Sequence, residues 1–345
     1  MKKQSFILAI ALVFCAIATQ AQQIEILTTG TQTSIRGMSV VDDEIVWVSG
    51  SGGKIGKSTD GGKTWDWMTV PGFEKREFRD IEAFDANTAV VLAIAEPGQI
   101  LKTTNGGRNW KVVFTDTAKG MFLDAMDFAD PENGIAIGDP LPGSSFIYRV
   151  YTRNAGNNWF RNPEDEKHMS PVSEGEAMFA SSGTNLVFLK SDGFIRNNRL
   201  LIATGGKSSN VLIQPAVQKI SLPIVQGLES TGANSIAALS LQNFIVVGGN
   251  FANDKDTTLN CSLTKDGGKT FIRPSVPPHG YRSCVEYLSK EKLVTCGTSG
   301  VDVSEDGGNT WRLISEDGFH VCQKSKKGKA VFLAGGKGKI AKLSW

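Results

Sequence analysis

Four predicted strands begin with one pair of residue types, an apolar or aromatic residue followed by a cationic one. The pairs are Ile35-Arg36, Phe78-Arg79, Tyr281-Arg282 and Phe319-His320. A guanidinium group binds a carboxylate through two parallel hydrogen bonds, so arginines that met on a common axis would form a carboxylate clamp. The sequence therefore predicts an anion-binding site, provided that the fold brings these four strands together.

Acidic residues at comparable positions allow a second interpretation. Asp80, Asp124 and Glu176 are predicted to lie near the arginines, where they could simply neutralise them. The complete set predicted for the site is Arg36, Arg79, Asp80, Asp124, Glu176, Tyr281, Arg282 and His320. The preferred ligand is an acidic or C-terminal carboxylate group of a partner, with a carbohydrate as the other candidate.

A repeated segment indicates which strands and turns must position these residues. The pattern Ser/Thr-x-Asp/Asn-x-Gly-x-Thr/Asn-aromatic occurs five times. Its Asp or Asn accepts backbone hydrogen bonds, its glycine allows positive φ, and its aromatic residue begins a strand. The pattern is therefore a tight turn between two strands. Its acid or amide residues are Asp60, Asn105, Asn154, Asp266 and Asp306, and its aromatic residues are Trp65, Trp110, Trp159, Phe271 and Trp311.

The spacing of the repeat predicts the fold class. The aromatic positions 65, 110 and 159 are 45 and 49 residues apart, and 271 and 311 are 40 apart. The longer gap after Trp159 holds a further unit whose decayed turn is assigned to residues 204–207. A period of this length with about four short strands is typical of a propeller blade. We expect an all-β, seven-bladed propeller formed by residues 22–345 as a single domain, with six blades less favoured.

The two termini are expected to meet. The last unit, residues 319–345, lacks a fourth strand, and residues 24–28 can supply it. Such pairing closes the ring and removes exposed sheet edges. The fourth unit is assigned to residues 174–217 and the fifth to residues 235–276.

The N-terminus predicts export. Lys2 and Lys3 precede an apolar run over residues 6–18, and small residues stand before a cleavage site at Ala21, as in a signal peptide. The run is too short for a membrane span, which needs about 20 apolar residues. Residues 1–21 are therefore a predicted signal peptide, and the mature protein is predicted to be periplasmic or secreted, without a membrane span.

Composition limits the other possibilities. The formal charge of +2 comes from Lys2 and Lys3, so the remaining sequence is balanced and predicts no nucleic-acid binding. Three dispersed histidines and the lack of a C-x-x-C motif predict no metal and no cofactor, and a monomer is expected. The sequence does not decide the disulfide state of the four remaining cysteines. Cys284 and Cys322 occupy equivalent positions and either bridge or are small buried residues. The other two are Cys261 and Cys296.

The five turns resemble the Asp box, or BNR repeat, of sialidases and related propellers. The composites Gly53-Lys-Ile-Gly-Lys-Ser-Thr-Asp-Gly-Gly-Lys-Thr-Trp65 and Gly98-Gln-Ile-Leu-Lys-Thr-Thr-Asn-Gly-Gly-Arg-Asn-Trp110 resemble the photosystem II stability/assembly factor-like proteins. Gly138-Asp-Pro140 and Gly175-Glu-Ala-Met-Phe-Ala180 resemble exported bacterial members of that group. The resemblance implies a non-catalytic propeller that binds a protein or peptide, with the Asp boxes as structural turns.

The alternative function is sialidase-like glycoside hydrolysis. Hydrolysis needs two carboxyl groups about 5 to 10 Å apart, which Asp80, Asp124 and Glu176 could supply. A sialidase also needs a tyrosine with a glutamate partner, but Tyr281 and Glu286 are five residues apart on one strand and should face opposite sides. No catalytic residue is therefore predicted.

Overall fold

The computed structural model describes residues 22–189 and 199–345. These residues form seven mainly antiparallel sheets, and the first strand of each sheet contacts the first strand of the next around a closed ring. The predicted seven-bladed propeller is confirmed. Residues 1–21, the predicted signal peptide, lie outside the described residues. No helix within the described ranges has the length and apolar character needed to cross a membrane.

In four blades, four regular strands run in sequence order from the central channel outward. Blade 1 consists of Ile35–Val40, Val46–Gly50, Lys54–Ser58 and Asp66–Thr69. Blade 2 consists of Phe78–Ala83, Ala89–Ala93, Gly98–Thr103 and Lys111–Asp116. Blade 4 consists of Leu186–Leu189, Arg199–Ala203, Asn210–Gln214 and Gln218–Ser221. Blade 6 consists of Cys284–Tyr287, Leu293–Gly297, Gly300–Ser304 and Arg312–Ser315.

Blades 3 and 5 have three regular strands, and an isolated bridge stands where the fourth would be. The bridges join Tyr151 to Phe160 and Leu263 to Ile272. Blade 3 consists of Leu123–Phe128, Gly134–Gly138 and Tyr148–Thr152. Blade 5 consists of Thr231–Ala238, Phe244–Asn250 and Cys261–Thr264, extended at its channel edge by Gly205–Gly206 and Glu176–Ala177. Short 3₁₀ helices span Pro163–His168 and Gly336–Gly338.

The N-terminal strand closes the ring, as predicted. Blade 7 consists of Val321–Lys324, Val331–Ala334, Ile340–Ser344 and the N-terminal strand Gln23–Thr28. The N-terminal strand pairs antiparallel with Ile340–Ser344, the third strand of the blade. Apolar side chains of blades 1, 6 and 7 then form one continuous core across the junction. The two ends of the propeller are thus held together by strand pairing and by shared packing.

Each of the five Asp boxes turns the backbone from the third strand of a blade to the fourth strand or to the isolated bridge. In blade 1 the Ser58 hydroxyl accepts from Gly62 N–H at 2.8 Å, and Asp60 accepts from the Thr64 hydroxyl at 2.6 Å. Hydrogen bonds to the Asp60 carboxylate, first that of the Thr64 side chain, lower the pKa of Asp60 to about 2. The hydroxyl-to-glycine bond recurs in all five boxes.

The Asp boxes of blades 2 and 3 also accept hydrogen bonds from a lysine of the preceding blade. The Lys57 ammonium donates to the Gly106 carbonyl at 3.2 Å, from the third strand of blade 1 to the box of blade 2. Lys102 repeats the contact one blade further on, to the Ala155 carbonyl at 2.6 Å. These contacts therefore link blade 1 to blade 2 and blade 2 to blade 3.

Three assignments in the middle of the sequence are wrong. Residues 204–207 join the second and third strands of blade 4, whereas an Asp box follows the third strand. Their glycines are used for pairing, because Gly205–Gly206 lies between Glu176–Ala177 and the first strand of blade 5. Blade 4 begins at Leu186 rather than at residue 174, and blade 5 begins at Thr231 rather than at 235.

The third Asp box predicts a stabilising substitution. Ala155 has φ 57°, where the equivalent Gly106 has φ 74°. An L-residue in this left-handed region costs about 1–2 kcal/mol, so Ala155→Gly should raise the free energy of unfolding by about 1 kcal/mol. Gly106→Ala, the reverse change in the preceding box, should lower it. Urea unfolding of both variants measures the effect, and a destabilised Ala155→Gly protein would contradict this account.

Candidate functional site

The predicted clamp residues stand at an irregularity shared by several blades. The first strands of blades 1, 2, 3 and 5 each contain a β-bulge, and the bulged residues are Arg36, Arg79, Asp124 and Asn234. Ser283 and His320 hold the corresponding positions just before the paired strands of blades 6 and 7. A bulge re-aims the extra side chain, which explains why this ring of polar residues faces the channel.

A segment between blades 3 and 4 crosses the channel, and we call residues 177–184 the strap. On one side, Arg36 donates to the Ser181 carbonyl at 3.4 Å and Arg79 donates to the Ala180 carbonyl at 3.3 Å. On the other side, the Ser182 hydroxyl donates to the Ser283 carbonyl at 2.7 Å. The strap therefore joins blades 1 and 2 to blade 6 and divides the channel into two cavities.

Further contacts fix the strap from blades 3 and 5. Met178 N–H donates to the Asp139 carboxylate at 2.9 Å, and the Thr184 and Ser235 hydroxyls are 2.7 Å apart. Gly183 has φ 71°, and a Cβ there would lie 2.5 Å from the Asp80 carboxyl group. Only glycine fits this crossing, because the backbone is left-handed and a buried side chain fills the space.

We call the upper cavity the mouth. It has a volume of about 480 Å³, and the strap forms its floor. Four residues of the predicted set line it, namely Arg36, Arg79, Tyr281 and His320. Asp139, Phe179 and Phe251 line it as well.

Arg36 and Arg79 differ in their partners. Arg79 is paired with Glu77, whose carboxylate is 2.6 Å from a guanidinium nitrogen. Arg36 has no carboxylate within ion-pair distance among the described residues; its one hydrogen bond is the long contact to the strap. Burial and then the neighbouring Arg79 charge lower the pKa of Arg36. A second cation thus raises the electrostatic cost of a partly buried one, and an incoming anion would relieve it.

His320 is not a third cation of the mouth at neutral pH. Its Nδ1 lies 2.9 Å from the Ile35 carbonyl, which can only accept, so Nδ1 carries the proton and Nε2 is an acceptor. Burial, and then the charges of Arg36 and Arg79, lower the pKa of His320 to about 4. The histidine therefore presents a neutral ring beside two guanidinium groups.

Two acids of blade 3 stand close to the mouth. Asp139 lines it, and burial raises its pKa to about 6. Asp124 is fully buried beside Ala180 of the strap, and burial raises its pKa well above the ordinary range. Within the described part of the protein, no donor bonds either Asp124 oxygen with ordinary geometry. Neither acid forms an ion pair with Arg36 or Arg79, and neither do Asp80 and Glu176, so the predicted neutralisation of these arginines by Asp80, Asp124 and Glu176 is not observed.

An aromatic wall formed by Phe179, Phe251 and Tyr281 lines the mouth across from the arginines. The ring centroids of Phe179 and Phe251 are 5.7 Å apart and those of Phe251 and Tyr281 are 6.3 Å apart, both pairs in edge-to-face geometry. The Tyr281 hydroxyl donates to Asn234 at 2.8 Å, which orients its ring. Burial raises the pKa of Tyr281 to about 12, so the phenol is neutral.

The lower cavity has the opposite character, and we call it the acidic cavity. It measures about 370 Å³ and is lined by Asp80, Glu82, Asp127 and Glu286 among other residues. Asp80 is predicted at the mouth but lies here, where it accepts from Ile81 and Met126 N–H at 2.8 and 2.6 Å. Tyr281 lies above the strap and Glu286 below it, so the pair that a sialidase needs does not meet.

The structure places Arg282 outside the channel, which corrects its assignment to the clamp. The side chain is fully buried, and Nε donates to the Asp302 carboxylate at 2.8 Å. The reason is register: Cys284 pairs with Cys296, so Ser283 takes the channel-facing position and Arg282 takes the place of an apolar residue. The pattern of an aromatic residue followed by a cation is shifted by one residue in blade 6.

Glu176 is also misplaced in the predicted site. Its carboxylate is buried, lies 2.7 Å from the Lys219 ammonium and accepts from Thr204 at 2.6 Å. Burial opposes ionisation of Glu176, but bonds from Lys219 and its polar neighbours outweigh this and lower its pKa. Glu176 therefore anchors one end of the strap to blade 4.

The cysteines and the possible metal ligands do not form a further centre. Cys261, Cys284, Cys296 and Cys322 are all buried free thiols, and Cys284 Sγ contacts the Cys322 carbonyl at 3.2 Å without a disulfide. Across residues 22–189 and 199–345, no group of three His, Cys, Asp or Glu side chains is arranged to hold a metal ion.

Comparisons with known proteins find the family that the repeat resembles. The family model of the photosynthesis system II assembly factor YCF48 matches residues 16–162. The predicted resemblance to these factors is therefore confirmed. YCF48 bound to a D1 peptide is 15% identical with a TM-score of 0.62, covering 94% of this protein and 97% of that one. YCF48 from Cyanidioschyzon merolae is 15% identical with a TM-score of 0.61, covering 92% and 98%.

Structural likeness at this level of identity shows the fold alone. U3-55K also matches, at 13% identity and a TM-score of 0.61, over 93% of this protein and 98% of that one. The comparison with curated protein sequences gives no match. The resemblance to YCF48 therefore supports the fold, and the function must be argued from the mouth.

The strap and Phe251 are the parts of the site that sequence reasoning missed. Both the strap and Asp139 lie within or next to the segments Gly175–Ala180 and Gly138–Pro140, which resemble exported relatives of YCF48. That likeness was the only signal, because neither segment belongs to the repeat.

Arg282 and Arg36 should behave differently when replaced by alanine. Arg282→Ala leaves the buried Asp302 carboxylate without its guanidinium partner, so we expect a loss of about 3 kcal/mol or more in the free energy of unfolding. Arg36→Ala should change it by about 1 kcal/mol at most, since no ion pair is lost. Urea denaturation measures both, and a stable Arg282→Ala protein would refute the structural role of Arg282.

Proposed function

We propose that this protein is a non-catalytic binding or assembly scaffold whose mouth takes a carboxylate group of a protein or peptide partner. The observation that carries the proposal is Arg36, a partly buried guanidinium with no carboxylate partner among the described residues, beside a second guanidinium. Such a pair at the floor of an open cavity supports binding of an anion with bidentate geometry. Glu77 forms an ion pair with Arg79, and the strap carbonyls accept a hydrogen bond from each of the two arginines, which holds both guanidinium groups in place.

A peptide fits the mouth better than an inorganic anion. The aromatic wall adds apolar surface opposite the arginines, and Phe251 is 48% exposed although it is a large apolar residue. Exposed aromatic residues beside arginine are typical of protein-binding surfaces. The solved YCF48 structure with a bound D1 peptide is a precedent for peptide binding by a related fold.

The proposal places the protein outside the cytoplasm, as residues 1–21 predict. We therefore expect the mature protein to begin at Gln22, and mass spectrometry of protein isolated from its own cells measures this. An intact Met1 in that material would contradict export and would leave the proposed binding function unaffected.

Arg36→Ala and Arg79→Ala should each weaken partner binding without unfolding the protein. Loss of a charge-assisted contact costs about 1.5–3 kcal/mol, so affinity should fall by at least about tenfold. The matched control is Arg273→Ala, which removes an exposed arginine from the outer side of blade 5. The measurement is titration with a ten-residue Gly/Ser peptide bearing a free C-terminal carboxylate. Equal affinities for wild type and both mouth variants would reject this site.

The affinity for that peptide should rise as pH falls from 7.5 to 5.5. The pKa of Asp139 is raised to about 6, so acidification removes a negative charge from the mouth, and any protonation of Asp124 acts in the same direction. His320 stays neutral down to about pH 4, and a peptide α-carboxyl group ionises at about 3.5. Asp139→Asn should remove most of the rise, whereas a fall in affinity over this range would contradict the assignment.

A further inference from the structure

We infer that the mouth is selective for a polypeptide C-terminus whose last residue is apolar or aromatic. The α-carboxylate binds at Arg36 and Arg79, and the terminal side chain packs against the aromatic wall of Phe179, Phe251 and Tyr281. This inference rests on the proposed function and adds the class of terminal residue that the site selects.

The strap closes the inner end of the mouth, and we call the mouth closed in this way the cup. The strap's backbone carbonyls accept from the arginines of blades 1 and 2, and its Ser182 hydroxyl donates to blade 6, so a bound polypeptide cannot continue through the channel into the acidic cavity. A polypeptide can therefore fill the cup with an end, whereas an internal segment would have to enter and leave over the same rim. The volume of about 480 Å³ is in the range of about 300–1,000 Å³ typical of small-ligand pockets, which suits a polypeptide end.

The positive charge of the cup favours the C-terminus of a polypeptide over its N-terminus. An N-terminal ammonium would meet Arg36 and Arg79 and would be repelled. A C-terminal carboxylate matches the guanidinium groups and can displace the long contacts of 3.4 and 3.3 Å that they make to strap carbonyls. A carboxylate is a better acceptor for a guanidinium than a carbonyl, because both partners are charged.

The two walls of the cup select the terminal residue. Blades 7, 1 and 2 supply His320, Arg36 and Arg79, and blades 5 and 6 with the strap supply the aromatic wall opposite. A terminal residue bears its carboxylate and its side chain on the same Cα, so it can contact both walls at once. Phe251 is held by edge-to-face contacts with both of its aromatic neighbours, so the wall is preformed and binding does not have to order it.

Four ten-residue Gly/Ser peptides test the inference by calorimetric titration. The first ends in Phe with a free carboxylate, the second ends in Ser with a free carboxylate, the third is the Phe peptide as its C-terminal amide, and the fourth is an amide with an internal Phe-Asp pair. We expect the first to bind at least about tenfold more tightly than each of the others, as burial of one aromatic side chain or loss of one charged contact predicts.

Variants of Phe251 assign the selectivity to the aromatic wall. Phe251→Ala should lower the affinity for the Phe-ended acid towards that of the Ser-ended acid, and Phe251→Leu should retain most of the preference. Phe160→Ala is the matched control, since Phe160 is 41% exposed at the outer edge of blade 3.

The outcomes separate the inference from the proposed function. If the Phe-ended and Ser-ended acids bind alike and both depend on Arg36, the selectivity for an apolar end is overturned while the carboxylate site stands. Preferred binding of the internal Phe-Asp peptide would overturn the C-terminal assignment alone. If none of the four peptides binds the wild-type protein, both the inference and the proposed function fail.

Discussion

The hydrogen bonds that hold the strap across the channel are the constraint on which the rest of the site depends. A propeller without such a segment would have an open channel, with the bulged residues of blades 1, 2, 3 and 5 facing the same water. Here the carbonyl groups of Ala180 and Ser181 engage the arginines of blades 1 and 2, while the Ser182 hydroxyl engages blade 6. The strap thereby separates a mouth with two guanidinium groups from an acidic cavity, and it orients those groups towards the open side.

Burial then sets the charge state of each cavity. In the mouth, His320 is neutral because burial and two neighbouring guanidinium groups oppose its protonation, so the positive charge is confined to the arginines. Below the strap, burial raises the pKa of Asp127 to about 6 and that of Glu286 to about 8. Thus the desolvation that weakens the basic character of His320 also weakens the acidic character of the lower carboxyl groups. Arg36 and Arg79 remain as the charges that can recognise a ligand.

The repeat made most of the fold predictable, and its limits explain what was missed. Five Asp boxes predicted the blades, because each box turns the backbone at the same place in a blade, and the incomplete last unit predicted the N-terminal strand. Arg36, Arg79 and His320 line the mouth, because their strands keep one register. Arg282 does not, because blade 6 shifts that register by one residue, and a shift of one residue moves a side chain to the other face. The strap could not be predicted, because it interrupts the repeat and its course is fixed by contacts with blades 1, 2, 3, 5 and 6.

The most direct measurement is an experimental structure of the protein with the Phe-ended Gly/Ser peptide. The account predicts a blind mouth in which the peptide carboxylate lies between the Arg36 and Arg79 guanidinium groups, above an intact strap, with the terminal ring against Phe251. A peptide bound in the acidic cavity or along the outer edge of a blade would contradict it. So would a channel left open because residues 177–184 do not cross it.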